Sequence, residues 1–228
     1  HGLTDRGCVR GCCAAHNMMG KQMELVGDWF GAWRIWDGIR ALDLLLDRPE
    51  TDATRVGVTG NSGGGTLSSW LWAVDDRFTM AAPSCFVTTF LANLENELPA
   101  DNEQYPPGAL GHGLEMADIL LAAAPKPILL LGREHDYFDR RGLRSAFSEL
   151  HRVYSALGAA GDVELFLAGG GHGYGVENQE AMLRFFCRHA GLGAPVSVGI
   201  EPWPEERLYA AAGNVVEAGA TPIFVRIA

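Results

Sequence analysis

A chain of 228 residues fits one globular domain, and 47% hydrophobic against 20% charged residues supplies a core and excludes intrinsic disorder. No apolar run approaches the roughly 18 residues that a membrane-spanning helix requires. The net charge of -10, from 28 acidic and 18 basic residues, repels phosphate backbones and argues against nucleic acid as a partner.

The chain opens at His1 rather than methionine, and no basic stretch leads into an apolar one. Either a leader has been removed or the sequence is cut from something longer, so the compartment is left open. Residues 1–20 have neither strand nor helix period and read as a loop. Five cysteines is an odd number, and Cys8, Cys12 and Cys13 crowd this segment, so no disulfide framework is expected. With His16 they offer four nominal zinc ligands in nine residues. Structural zinc takes ligand pairs separated in sequence, and adjacent Cys12 and Cys13 point apart, so the expectation is thiols or a local disulfide. No metal or other cofactor is expected.

From Trp29 to Leu46 apolar residues recur at helical spacing, and Arg48-Pro49 ends the helix. Arg55–Gly60 reads as a short strand running straight into a helix from Thr66 to Val74. Phe78–Phe86 reads as a strand, 88–112 as an irregular insertion, and Leu114–Ala124 as a helix. A strand at Pro127–Gly132, a helix at Arg141–Leu157, a strand at Val163–Ala168 and a helix at Asn178–His189 follow. Strands alternating with helices, and apolar without alternation, predict an α/β fold with a parallel sheet covered on both faces. Residues 1–190 form the expected domain, 191–204 a Gly- and Pro-rich linker, and 205–228 a strand-like tail or the start of a further segment.

Gly60-Asn61-Ser62-Gly63-Gly64 is a G-x-S-x-G sequence between a strand and a helix. A serine at so sharp a turn has a strained backbone, and glycines two before and two after it avoid clashes between helix and strand. The turn presents the hydroxyl at a helix N-terminus, where the amide of Gly63 favours developing negative charge. A phosphate loop is excluded by spacing and by the lack of a following lysine. A nucleophilic serine needs a base oriented by an acid. Asp136 follows the next apolar strand but one and is the first choice of acid; Asp139 and Glu134 are the alternatives, Asp139 fitting a helix N-cap better. His172, between glycines after the 163–168 strand, is the base. Among the other histidines, His16, His112 and His151 read as surface or loop residues and His189 as a helix C-cap.

The elbow at Gly60–Gly65 with Leu67 and Trp70, the Asp136-Tyr137-Phe138-Asp139 run and His172-Gly173-Tyr174 resemble an α/β-hydrolase, most nearly the acetyl xylan esterase and dienelactone hydrolase-like branch. The resemblance covers about residues 25–190. It implies a serine esterase acting on acylated carbohydrate or a small-molecule ester, with a prolyl-oligopeptidase-type peptidase and a non-catalytic binding module as alternatives. An α/β-hydrolase sheet has about eight strands and only four are visible. The chain is therefore expected to be the C-terminal part of such a domain, with first strands missing, residues 55–60 at a sheet edge, and the second oxyanion donor upstream. Trp29, Trp33 and the 88–112 insertion are candidates for the pocket wall, though core packing is the better reading of both tryptophans.

Overall fold

Four short β-rich runs each end at a turn and feed a helix, and that repetition builds the sheet. The computed structural model describes residues 12–96, 100–195 and 203–208, with single positions at 219, 221 and 225. These divide into two compact units, one of His1–Phe30, Asp101–Glu103 and Val196–Ala228, the other of Gly31–Ala100 and Gln104–Pro195.

The larger unit holds the parallel sheet β1 (Gly57–Asn61), β2 (Met80–Ser84), β3 (Ile128–His135) and β4 (Val163–Gly171), in the order β1-β2-β3-β4. Among the described residues β1 is an edge strand, as expected. Alternate side chains leave the sheet on opposite sides. Ala81, Ile128 and Leu130 enter the main core, where α3 (Gly63–Val74), α5 (Met116–Leu121) and α6 (Arg140–Ala156) cover the sheet. Met80, Ala82, Leu129 and Leu131 pack with Ala181 and Phe185 of α7 (Val176–His189) on the opposite face. Both faces are therefore dry, which is why these strands read as unbroken apolar runs.

Two large side chains inside the core have their polar atoms paired. Trp72 Nε1 on α3 donates to Leu120 O on α5 at 3.1 Å, and Tyr154 OH on α6 donates to Lys126 O at 2.7 Å. Leu150 of the same core is fully buried, and truncating such a leucine to alanine costs about 2–5 kcal/mol. The helix α2 (Phe30–Leu46) puts Leu42 in this core with Ile35 and Ile39 against it. The 88–112 segment is less irregular than its composition suggests. It contains α4 (Phe90–Leu94) and two single 3-10 turns, and Phe90 is fully buried. Trp33, read as a core residue, is 36% exposed, and Trp29 is half-buried, its Nε1 donating to Asn102 O at 3.2 Å.

The smaller unit corrects the reading of residues 1–20 as a loop. Cys12–Glu24 is a helix, α1, whose residues Ala15, Met19 and Met23 form one buried stripe, the two methionines packing on Phe30. His16 is accordingly not a surface residue. It is a half-closed helix side chain, 12% exposed, and bonds Glu103 Oε1 at 2.8 Å. Cys8, and the Cys12 side chain, lie outside the described residues. So do half of the 191–204 linker and most of the 205–228 tail, where Glu205–Leu208 is a 3-10 turn.

Candidate active site

Because β1 ends at Asn61 and α3 begins at Gly63, Ser62 makes the turn by itself, at φ 59° and ψ -118°. A non-glycine residue at positive φ is strained and persists only where its surroundings hold it. Here Ser62 N donates to Ser84 O at 2.9 Å, and Thr66 N donates to Ser62 O at 2.9 Å. A serine in this position ordinarily caps the helix with its hydroxyl. Ser62 makes no capping bond, so Oγ is left for other partners. The Gly63 amide lies in the first turn of α3, where N–H groups have no intrahelical acceptor.

Glycines are needed around the elbow, at the expected position before the serine but not at the expected one after it. A Cβ on Gly60 would stand 2.5 Å from Gly64 O, and one on Gly65 would stand 2.3 Å from Ser84 O. A Cβ on Gly64 would meet nothing within 4 Å. The expected clash two residues after the serine thus falls three residues after it, where α3 crosses the end of β2.

Asp136 follows β3, whose pairing with β4 is irregular between Arg133 and His135. Its side chain is 2% exposed, and Oδ1 accepts from His172 Nδ1 at 2.8 Å and from Phe138 N at 3.0 Å. Burial pushes this carboxyl up, but hydrogen bonds from His172, Cys85 and the Phe138 amide outweigh it and hold the group below its ordinary value. The alternatives are engaged elsewhere. Asp139 caps α6, accepting from Arg141 N at 2.7 Å, and Glu134 pairs with Arg140 at 2.7 Å.

His172 follows β4, with Gly170 at φ 87° and Gly173 at φ 151° on either side. Arg133 Nε donates to Gly171 O at 3.1 Å, and Tyr174 OH reaches Thr59 Oγ1 at 2.7 Å, tying this loop to β3 and β1. Ser62 and His172 do not bond directly. Tyr137 OH lies between them, 3.4 Å from Ser62 Oγ and 3.3 Å from His172 Nε2, with its ring 4.4 Å from the imidazole. The Tyr137 carbonyl accepts a hydrogen bond from Asn96 Nδ2.

Several residues here had no place in the sequence reading. Cys85, buried at φ 52° directly after β2, lies with its thiol, Asp136 and His172 within 4.8 Å of one another. Those three atoms suit a metal by type, but the His172 nitrogen and the Asp136 oxygen already bond each other. Below the elbow, Asn178 Nδ2 donates to Ser84 Oγ at 3.2 Å, and Ser84 Oγ donates to Asn61 Oδ1 at 3.0 Å. Cys85 could have been found from its position, since functional groups in such sheets gather at strand C-termini. Beside Asp136 and Tyr137 a cleft of about 470 Å³ is lined by Asn96, Glu134, Asp139 and Arg140 among others.

Residues 23–192 match the model of the prolyl oligopeptidase family. The chain belongs to this family. Its fold is the α/β-hydrolase fold that the sequence led us to expect, although the family carries the name of the peptidase alternative. The Bacillus subtilis (strain 168) protein YtaP, which carries the name of a hydrolase, is 28% identical over 154 residues, covering 67% of this chain and 52% of YtaP. Among solved structures, methylesterase BT1017 is 26% identical with a TM-score of 0.57, covering 70% of this chain and 35% of its own. A carbohydrate esterase family 15 glucuronoyl esterase from Caldicellulosiruptor kristjansonii has a TM-score of 0.59 at 20% identity, covering 74% and 54%. This member of the prolyl oligopeptidase family thus spans about half the length of the curated relative it matches. No helix among the described residues is long and apolar enough to cross a membrane.

Proposed function

We propose that the protein is a serine hydrolase of carboxylic esters, with Ser62 as nucleophile, His172 as general base, Asp136 as the orienting acid and the Gly63 amide as an oxyanion donor. The observation that carries this reading is the 2.8 Å Asp136–His172 bond meeting, through one hydroxyl, a strained serine that does not cap its helix. His172 Nδ1 holds the proton shared with Asp136, which turns Nε2 towards the nucleophile. Nε2 takes the Ser62 proton as Oγ attacks the carbonyl carbon. The tetrahedral oxygen then gathers negative charge beside the α3 N-terminus. Collapse releases the alcohol, protonated by His172, and water repeats the sequence on the acyl-enzyme.

The substrate class is a carbohydrate ester with a small acyl or methyl group. Supporting it are the polar lining of the cleft beside Tyr137 and the methylesterase name of a structural relative. Two measurements on the intact protein test the reading. A fluorophosphonate should label wild type and leave Ser62→Ala unlabelled. Acetylated or methyl-esterified sugars should be turned over with higher kcat/KM than a prolyl peptide; the reverse order would establish the peptidase alternative, and labelling indifferent to Ser62 would remove the nucleophile.

A further inference from the structure

Outside the Ser62 site, one cluster of side chains within the smaller unit has the chemistry of a cation site. His16 stands on α1, and Asp101 and Glu103 come from a short segment far along the chain. His16 Nδ1 lies 2.8 Å from Glu103 Oε1 and 3.7 Å from Asp101 Oδ2, and one ligand atom from each of the three lies within 4.8 Å of the others. The side chains are 12%, 11% and 7% exposed, in the order His16, Asp101, Glu103.

We propose that His16, Asp101 and Glu103 bind a first-row divalent cation, with zinc as the reference ion. Geometry is the first support. A tetrahedral ion with nitrogen and oxygen ligands at about 2.0–2.2 Å sets them about 3.3–3.5 Å apart. The two separations from the imidazole, 2.8 and 3.7 Å, bracket that value, so shifts of about 0.2–0.7 Å bring both carboxylates to it. Donor type is the second: one imidazole with two carboxylates suits zinc, iron or manganese better than the all-oxygen shells of calcium and magnesium.

Charge and hydrogen bonding point the same way. Two carboxylates facing one imidazole leave excess negative charge in a nearly closed site, even when the imidazole is protonated, and excess buried charge is costly without a counter-ion. Glu103 as a residue is 5% exposed, and its Oε2 is buried with no hydrogen-bond partner. A buried carboxylate oxygen of that kind needs a donor or a cation. The acidic segment is held from both sides, since Asn102 Nδ2 donates to Glu24 Oε1 at 2.6 Å and Asn102 O accepts from Trp29 Nε1. Phe30 packs at 5.1 Å from the His16 ring and fixes its plane from the apolar side. A cation here crosslinks α1 to residues 101–103, a structural role separate from ester hydrolysis, and water takes the fourth position.

The full chain, stripped with EDTA and dialysed, is titrated calorimetrically with zinc chloride and melted with and without it. The expected result is about one equivalent bound, with the melting temperature raised by about 5–10 °C at a 100-fold excess over Kd. Glu103→Gln, nearly isosteric, and His16→Ala should each weaken binding at least about tenfold. Cobalt in place of zinc should give ligand-field bands of nitrogen and oxygen ligands with no thiolate charge-transfer band. The proposal is overturned by absence of stoichiometric binding, by a thiolate band placing the metal on the N-terminal cysteines, or by Glu103→Gln binding as wild type does. Should His16→Ala fail to fold, the wild-type titration and Glu103→Gln still decide.

Discussion

Adding one methyl group at Gly65 should damage both stability and activity, whereas the same addition one residue earlier should do neither. An alanine Cβ at Gly65 would stand 2.3 Å from Ser84 O and 3.0 Å from Phe86 Cβ, against ordinary contacts of 3.4–4 Å. The nearest obstacle is backbone, so α3 must retreat from β2 by about 1 Å, and overpacking of this kind costs about 1–3 kcal/mol. At about 2–4 °C per kcal/mol for a chain of this length, the melting temperature should fall by about 2–12 °C. Ser84 O is also the acceptor of the Ser62 amide that fixes the elbow. A displacement of about 1 Å there should lower kcat about 100-fold. Gly64→Ala meets no atom within 4 Å and sits in the first turn of a helix, so it should be neutral or stabilising by up to about 1 kcal/mol. Urea and thermal unfolding, with hydrolysis of p-nitrophenyl acetate by the intact protein, measure both variants. Equal effects, or a Gly65→Ala protein within about 0.5 kcal/mol of wild type, would show that the approach of α3 to β2 does not constrain the elbow.

Removing the Ser62 hydroxyl (Ser62→Ala) should lower kcat by about 10⁶, as in a comparable triad, with little change in melting temperature. Asp136 is held below its ordinary value of 3.8, so its contribution to stability is complete above that pH and is lost as pH falls through the lower folded value. Urea midpoints followed from pH 6 to pH 2 should therefore fall more steeply for wild type than for Asp136→Asn; parallel curves would contradict the assignment. Burial pushes the Cys85 thiol up to about 11, so iodoacetamide at pH 8 should alkylate it only after unfolding, as read by peptide mass spectrometry. Arg77 bonds Asp75, which is 8% exposed, and also Asp43 on α2 at 2.5 Å; Arg77→Met should cost about 1–3 kcal/mol in a chemical denaturation by leaving Asp75 without its cation.

The elbow and the strand-end positions of Asp136 and His172 were legible because each rests on a local pattern: an apolar run, a turn, a glycine-flanked side chain. What escaped depends on contacts between distant residues. The helix α1 carries its apolar stripe on Ala15, Met19 and Met23, spaced by four, but small residues and cysteines masked that period. His16 is buried only because carboxylates 85 and 87 residues away fold onto it, at Asp101 and Glu103. The glycine that matters after the serine is Gly65, not Gly64, because the crossing angle of helix over strand sets the close approach and the motif's letters do not encode it. Tyr137 stood inside a recognised run, yet its hydroxyl meets Ser62 and His172, 75 and 35 residues away in the chain.

That hydroxyl also sets what binding must do on the proposed reading. A general base acts on its nucleophile at about 2.6–3.2 Å, whereas Ser62 Oγ and His172 Nε2 here share Tyr137 OH as a partner at 3.4 and 3.3 Å. On that reading the phenol hands its place between serine and imidazole to the direct contact as the hydroxyl attacks.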